Sequence, residues 1–391
     1  MTSAAGRGAR PLRALLVVDS LSNNGATHIT VELARRWAPA GARLAVLQRP
    51  VGQVPVVPAA EVSVRHLSAP GTRLRRQVLT AFARLLALAR SSDVVVGGSE
   101  IGVAFVGGFV AARLTRRPFI VAVHADLDQA LDEWMPTSLH AVFRWLHRRV
   151  DGAVCVAPGL VAPLLRNGLG RDRVRVVRNG VDPAEVRRAA KGPGSLVNAG
   201  EAVVVATGRL APQKGYDLLL RAHADVVREL PHRLLILNDG PERQALEALT
   251  AELQVQGSVT FAGAVRAPLP SVAHATVFCL PSRHEGLPLA LLEAVTLGVP
   301  IIAADCSDGV RAAVDHGRVG ELVPVGDQVA LTQSLARHLR DPAPLRLRAR
   351  SGPDHAGSFD SGAMAAGWAD ALDDLRAAAL IRARRTSAPR L

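Results

Sequence analysis

The chain is poor in cysteine, in aromatic residues and in lysine. Its three cysteines, Cys155, Cys279 and Cys306, form no close pair, so we expect neither a disulfide framework nor a structural zinc site. Aromatic residues make up 3% of the sequence, which leaves few platforms on which nucleic-acid bases could stack. These shortages argue against a disulfide-stapled domain, a zinc-binding module and a nucleic-acid-binding protein.

Positive charge is supplied almost entirely by arginine. Of the 47 basic residues only Lys191 and Lys214 are lysines, and a lysine in such a chain can mark a place where a compact point charge is wanted. The net charge of +13 is uneven, since residues 1–185 carry 24 arginines against 13 acids, a balance of +11. This basic half predicts an anionic partner, either a phosphorylated acceptor or an anionic membrane surface, or it is an ordinary solvated surface.

No segment of the sequence has the pattern of a targeting signal or a membrane span. The apolar run at residues 14–18 is too short for a signal sequence, and residues 94–114 are interrupted by Ser99, Glu100 and several glycines. We therefore expect a cytoplasmic protein. A basic amphipathic helix predicted over residues 72–90 would lie either on a sheet, which we favour, or on a membrane surface as a peripheral contact.

Strand-like and helix-like runs alternate twice along the chain. One series occupies roughly residues 12–177 and a second begins near residue 202, separated by a stretch rich in Gly, Pro, Ala and Ser around residues 183–201. This pattern predicts an α/β protein of two Rossmann-like doubly wound domains that face a cleft. We place the first domain at residues 1–185 and the second at residues 186–358. The motif G-x-G-x-x-G of dinucleotide-binding domains is absent.

The stretch from residue 282 to 295 carries the strongest functional signal. It follows a predicted buried strand at residues 275–281 and enters a predicted helix at residues 287–297. Glu285 is expected in the strand-end loop and Glu293 about two turns into the helix, with the N–H groups of the helix start between them. Two carboxylates that flank an anion site could hold both ends of a nucleotide diphosphate sugar. The alternative is a helix that carries incidental acids.

Two other strand ends carry candidate side chains. The loop at residues 208–215 contains Arg209, suited to grip phosphate oxygens bidentately, and Lys214, suited to act as a point charge, or it is a plain surface turn. His124 ends another predicted strand and is a candidate for hydrogen bonding or proton transfer, or a satisfied structural histidine. Asp126-Leu-Asp128 matches a D-x-D metal pattern, but two acids at this spacing are common and we expect no metal site.

Several short motifs occur in one order along the chain, and together they resemble a known family. They resemble the retaining glycosyltransferases of family four, which have the GT-B fold. The motifs are Gly25-Ala26, Asn179-Gly-Val-Asp182, Gly208-Arg-Leu-x-x-x-Lys-Gly215, Asn238-Asp-Gly-Pro241, Phe261-x-Gly263 and Glu285-Gly-x(6)-Glu293-Ala.

The resemblance assigns roles to the second domain. Arg209 and Lys214 would bind the donor diphosphate, while Glu285 would hold hydroxyls of the donor sugar. Gly286 and Leu287 would offer backbone N–H groups to phosphate.

Further roles follow from the same resemblance. Glu293 would bind the ribose and Val265 would lie against the nucleobase. In the first domain His124 would lie near the transferred sugar, and Gly25 would allow close backbone approach to the diphosphate. Residues 359–391 would form a helix that crosses back to the first domain, followed by a tail.

The sequence differs from the family pattern in three loops. Asn23-Asn24-Gly25 replaces the usual paired glycines, and Asn238 stands where glycine is more common. The segment Cys306-Ser-Asp-Gly309 is unusual and could affect acceptor selection.

The reaction implied by the resemblance is transfer of a hexosyl unit, with retention, from a nucleotide diphosphate sugar to an acceptor hydroxyl. A UDP-sugar is favoured as the donor, and the acceptor would be a small or lipid-linked molecule. Neither a metal nor a cofactor is implied. A sugar phosphorylase, a nucleotide-sugar epimerase and a non-catalytic nucleotide-sugar-binding protein are alternatives that could use a similar cleft, and a basic module that binds a membrane or nucleic acid is another.

Overall fold

Two parallel sheets organise the part of the chain that the structure describes. The computed structural model describes residues 12–48, 55–69 and 77–387, with side chains described as far as residue 384. Within these ranges a seven-stranded sheet has the order β3-β2-β1-β4-β5-β6-β7, and a six-stranded sheet has the order β10-β9-β8-β11-β12-β13. Every strand pairing between neighbours is parallel, and each sheet reverses its direction of growth beside its first strand. The predicted pair of Rossmann-like domains is thereby confirmed.

The strands are short and apolar, as strands covered by helices on both faces must be. All five residues of the first strand are buried, for example. The strands are β1 (Ala14–Val18), β2 (Arg43–Val46), β3 (Ser63–His66), β4 (Val94–Gly97), β5 (Phe119–Val123), β6 (Gly152–Cys155), β7 (Val174–Val176), β8 (Val203–Thr207), β9 (Arg233–Leu237), β10 (Val259–Phe261), β11 (Val277–Leu280), β12 (Ile301–Ala304) and β13 (Glu321–Val323).

Helices fill the connections between these strands. They are α1 (Gly25–Arg36), α2 (Val78–Arg90), α3 (Val103–Thr115), α4 (Leu127–Trp134), α5 (Thr137–His147), α6 (Val161–Arg166), α7 (Pro183–Ala190), α8 (Tyr216–Val227), α9 (Arg243–Glu252), α10 (Leu269–Ala273), α11 (Leu289–Thr296), α12 (Asp308–Ala313), α13 (Gln328–Arg340), α14 (Ala343–Ala349), α15 (Gly352–His355) and α16 (Ser361–Ser387).

Two helix boundaries differ from the sequence prediction. Helix α11 begins at Leu289, after Pro288 in extended backbone, so Glu293 lies about one turn inside it rather than two. In the Gly- and Pro-rich region where we predicted a linker, Asp182 caps α7 by accepting hydrogen bonds from the backbone of Ala184 and Glu185. Helix α7 packs on α10 and α11, and the boundary placed at residue 185 falls inside it.

The predicted amphipathic helix at residues 72–90 is described from Val78 as α2. Its Ala81, Leu85 and Ala89 are buried, and the helix packs along α3. This is the packed arrangement that we favoured for it. Residues 72–76 lie outside the described part of the chain.

The last helix, α16, packs against the first sheet although it follows the second in sequence. Trp368 and Leu375 are fully buried in the core formed with β1, β2 and β4, and a Cβ on Gly152 of β6 would overlap the Leu375 side chain. Backbone hydrogen bonds hold the start of α16 against the first domain: the Val181 N–H donates to the Phe359 carbonyl, and the Val181 carbonyl accepts from the Ser361 N–H. No helix among the described residues is long and apolar enough to span a bilayer.

We predict that Trp368→Ala lowers the free energy of unfolding by about 3–5 kcal/mol, because it leaves a large cavity under α16. Trp145→Ala is the matched control, since Trp145 is 49% exposed, and it should cost less than about 1 kcal/mol. Urea unfolding followed by circular dichroism measures both. Equal losses in the two variants would show that α16 is not held by this side chain.

Candidate active site

The carboxyl ends of β8 and β11 in the second sheet meet the carboxyl end of β5 in the first. A Cβ on Gly286, in the loop after β11, would overlap the carbonyl oxygen of His124, which follows β5. The loop that carries Glu285 is therefore in contact with the other domain. Strand ends of this kind are where open parallel sheets hold their ligands.

Lys214 and Glu285 form an ion pair at this edge of the second sheet. The Lys214 Nζ lies 2.6 Å from Glu285 Oε1, and Ser282 Oγ donates to the same oxygen at 2.8 Å. The two charged side chains are only 18% and 7% exposed. Since each charge compensates the other, a cation and a carboxylate can stand side by side in a partly buried place.

The two loops that carry this pair are locked together through their backbones. Gly215 has a φ of +65°, and a Cβ at this position would overlap the carbonyl oxygen of Pro281. The Arg283 guanidinium donates to both carboxylate oxygens of Asp217 at 2.9 and 2.6 Å, and the Arg283 N–H donates to the Gln213 carbonyl at 2.8 Å. These contacts fix where Lys214 and Glu285 meet.

The backbone before α11 presents donors without acceptors. The carbonyl of Gly286 accepts from Ser307 Oγ at 3.2 Å, and the carbonyl of Leu287 accepts from Asn179 Nδ2 at 2.9 Å. Among the described residues no acceptor receives the N–H of Gly286 or Leu287. Both N–H groups precede the start of α11, where an anion could accept from them.

His124 presents an unpaired ring nitrogen in the crowded contact between the domains. Its Nε2 is buried and has no hydrogen-bond partner in the described part of the chain. Burial lowers the pKa of His124 to about 4, against the opposing effect of the Gly98 carbonyl. The imidazole is consequently neutral at physiological pH and can exchange a hydrogen bond with a ligand.

Glu100 supports this histidine and was not identified from the sequence. Its Oε2 accepts from the N–H of His124 at 3.2 Å and its Oε1 from the N–H of Ala125 at 3.1 Å. Glu100 is 2% exposed, and burial raises its pKa to about 7. His147 Nε2 donates to the Glu100 backbone carbonyl at 2.8 Å, and the His147 ring stacks on Phe105.

Arg209 follows β8 and Glu293 lies within α11, and neither side chain contacts the ion pair. Arg209 is exposed and makes no hydrogen bond or ion pair with described residues, while a Cβ on the adjacent Gly208 would contact the Lys214 chain at 3.2 Å. Glu293 is half-buried and likewise has no described partner. Burial raises the pKa of Glu293 to about 7. Both side chains are thus available to a ligand.

The two remaining candidates, Gly25 and Val265, lie in different domains. Gly25 is the first residue of α1 and has open space where a side chain would be. The preceding Asn24 serves as the cap of α1, accepting from the N–H of Thr27 at 2.9 Å. Val265 is half-buried against the core. The extra asparagine that departs from the family pattern therefore has a structural use.

Other unusual residues also have local explanations. Asn238 has a φ of +104°, a positive value that glycine adopts most easily, and this explains why glycine is more common at this position. The Asn238 N–H donates to the Gly263 carbonyl at 2.8 Å. In the D-x-D motif, Asp126 caps α4, and Asp128 accepts from Arg144 at 3.0 Å and from Asn167 at 3.1 Å. Both acids of the motif are occupied by protein contacts.

A second contact crosses between the domains beside Glu285. His284 Nε2 lies 3.2 Å from Glu133 Oε2 of α4, and the other carboxylate oxygen of Glu133 is buried without a described partner. This pair was not predicted, because 151 positions separate the two residues in the chain.

The fold is similar to that of solved GT-B glycosyltransferases. A crystal structure of Anabaena Alr3699/HepE in complex with UDP and glucose matches with a TM-score of 0.76 at 18% identity, covering 93% of this chain and 99% of that one.

Family models and relatives cover both domains. The model described as Glycosyltransferase Family 4 matches residues 23–185, and the model described as Glycosyl transferases group 1 matches residues 201–341. A 2-deoxystreptamine glucosyltransferase of Streptomyces kanamyceticus is 31% identical over 274 residues, 64% of this chain and 68% of the relative. The chain belongs to the GT-B glycosyltransferases. An uncharacterized glycosyltransferase of Haemophilus influenzae is 31% identical over 140 residues, which span 36% of the present glycosyltransferase and 40% of the relative.

We predict that Glu100→Ala in this glycosyltransferase costs about 2–5 kcal/mol of unfolding free energy, because it leaves two buried backbone N–H groups without acceptors. Turnover should fall as well, since the backbone of His124 loses its support. Glu252→Ala removes an exposed acid and is the control. Chemical denaturation and an assay of nucleotide release measure the two effects; unchanged stability in Glu100→Ala would contradict this role.

Proposed function

We propose that the protein is a retaining glycosyltransferase that transfers a hexosyl unit from a UDP-sugar to an acceptor hydroxyl. The observation that carries the proposal is the Lys214–Glu285 ion pair, 2.6 Å long, beside the unpaired N–H groups of Gly286 and Leu287. A cation and two backbone donors suit a diphosphate, and the adjacent carboxylate suits sugar hydroxyls.

The departing diphosphate is the main electrostatic problem of the reaction. Lys214, the exposed Arg209 and the two N–H groups would stabilise the charge that develops as the bond between the sugar and the diphosphate breaks. In this proposal the protein's own donors are sufficient for that purpose. The nucleotide would extend toward Glu293, whose unpartnered carboxylate would accept hydrogen bonds from the ribose hydroxyls, with Val265 against the base.

Retention would follow from attack on the same face that the diphosphate leaves. The acceptor oxygen forms a bond to the anomeric carbon as the bond to the diphosphate oxygen breaks, and the acceptor proton passes to that diphosphate. Glu285, already held by Lys214 and Ser282, would orient sugar hydroxyls rather than act as a nucleophile. The neutral His124 would form a hydrogen bond with the sugar through its unpaired Nε2.

The choice of substrates rests on the relatives. UDP and glucose are named for Anabaena Alr3699/HepE, and a 2-deoxystreptamine glucosyltransferase is among the relatives. We propose a UDP-hexose as the donor and a small or lipid-linked hydroxyl compound as the acceptor, with the reaction in the cytoplasm.

We predict that Lys214→Ala and Glu285→Ala each lower turnover with UDP-glucose by about 10²–10³, since each removes a group that acts on the donor. Lys191→Ala is a matched control because it removes the chain's other lysine, on the far end of α7. Thermal unfolding tests whether the variants are folded. Because Lys214→Ala alone leaves the Glu285 carboxylate without its cation, the double variant Lys214→Ala/Glu285→Ala is measured as well. Near-wild-type turnover in both single variants would refute the site.

We also predict that the affinity for UDP rises with pH near neutrality. Glu293 has a pKa of about 7 in the free protein, so part of the population must lose a proton before its carboxylate can accept ribose hydroxyls. Affinity should therefore increase from pH 6 to pH 8 and binding at pH 7 should release protons. Calorimetry in buffers of different ionisation enthalpy measures both. Glu293→Gln should remove the part of the pH dependence that UDP itself does not cause; identical profiles in wild type and variant would reject the assignment.

A further inference from the structure

A pocket of about 550 Å³ lies at the edge of the first sheet opposite the candidate active site. Asp151 and Arg173 in its wall directly precede β6 and β7, whereas His124 follows β5, so the pocket is at the amino ends of the parallel strands. The far end of α16 closes one side. Its volume is within the range of roughly 300–1,000 Å³ that small-molecule sites occupy.

Positive charge dominates the lining of this pocket. Five guanidinium groups and one carboxylate face it, contributed by the end of α3, the turn before β6, the start of β7 and α16. These residues are Arg113, Arg148, Arg149, Arg173, Arg382 and Asp151. The carboxylate is already shared, because Asp151 accepts from the N–H of Phe119 at 2.9 Å as well as from the Arg113 side chain.

Backbone carbonyls position several of these arginines, and two of the five are also paired with acids, Arg113 with Asp151 at 3.4 Å and Arg382 with Asp172 at 3.2 Å. Arg148 Nε donates to the Asn167 carbonyl at 2.9 Å, Arg382 Nη2 donates to the Asp151 carbonyl at 2.9 Å, and Arg113 donates to the Arg149 carbonyl. A guanidinium has five N–H donors, so Arg148, Arg149 and Arg173, each with one carbonyl contact, keep donors for a ligand. Burial and the nearby Arg173 lower the pKa of Arg382, as expected where like charges are crowded together.

We propose that this arginine pocket binds a phosphate-bearing anion at a site separate from the donor site. Guanidinium groups match phosphate oxygens in bidentate geometry, and an anion would relieve the repulsion among the five cations. This inference does not depend on the proposed function.

The neighbouring helix bears on where the phosphate comes from. The outward side of α5 carries Leu139, Val142 and Trp145, which are 39%, 49% and 49% exposed. The Arg149 guanidinium stacks on the Trp145 ring at 4.0 Å, so this apolar side adjoins the pocket. A lipid headgroup and a free phosphate compound both carry the phosphate that the pocket would bind. The apolar side of α5 would contribute only to the binding of a lipid.

The first test uses inorganic pyrophosphate and calorimetry. Binding should survive Lys214→Ala, which disables the donor site, and should weaken at least about tenfold in Arg149→Gln/Arg173→Gln. The matched control Arg346→Gln/Arg348→Gln removes the same charge from exposed positions on α14 and should bind as wild type does.

The second test uses sedimentation with vesicles of phosphatidylglycerol or phosphatidylcholine. Binding to the anionic vesicles alone, weakened by Arg149→Gln/Arg173→Gln and by Trp145→Ala, would identify a lipid headgroup as the source. Pyrophosphate binding through the pocket without vesicle binding would identify a free phosphate compound. The proposal is overturned if neither probe binds in a way that the pocket arginines change, or if the α14 control loses as much binding as the pocket variant.

Discussion

The arrangement of the loops at the carboxyl edge of the second sheet depends on the ion pair between Lys214 and Glu285. The two residues follow β8 and β11, which are neighbours in the centre of the second sheet, so the pair spans the point where the sheet changes its direction of growth. Alone, either charge would be costly at this depth; together they hold each other in place. Gly215, which has no Cβ to collide with Pro281, allows the two loops to come close enough for the pair to form.

The loop after β11 connects this pair to the other domain. His284 and Gly286, on either side of Glu285, both touch the first domain, one at Glu133 and the other at the backbone of His124. A movement of one domain relative to the other would thus change the position of Glu285 relative to His124. Under the proposed function, His124 and the groups that bind the donor would act together only in an arrangement that keeps these contacts.

Much of this fold could be predicted because its strands are apolar runs bounded by turn residues. The strand predicted at residues 275–281 is β11, which runs from Val277 to Leu280. Helix α7 was not predicted because the Gly- and Pro-rich sequence around it indicated a linker, although Asp182 is its N-cap.

The candidate site was predictable only where a motif carries its own chemistry. Lys214 and Glu285 are 71 positions apart, yet each was found because it follows a strand within a recognisable loop. Glu100 was passed over as part of a turn, since its role depends on β4 lying beside β5, and this adjacency is set by the tertiary fold. The Glu133–His284 contact depends on the packing of two domains and had no local signal.

Two partly buried acids of the second domain differ in whether their carboxylates have partners. On β13, away from the cleft, Glu321 is partly buried, which raises its pKa, but hydrogen bonds from His338 and Ser334 outweigh burial and hold the pKa at about 2. At the cleft, Glu293 has no such partner and its pKa rises to about 7, while His124 Nε2 is buried and unpaired. An acid whose pKa is raised favours folding less as the pH increases through that value, so Glu293 lowers stability at neutral pH. Buried polar groups that have a shifted pKa or no partner are typical of sites that a ligand completes.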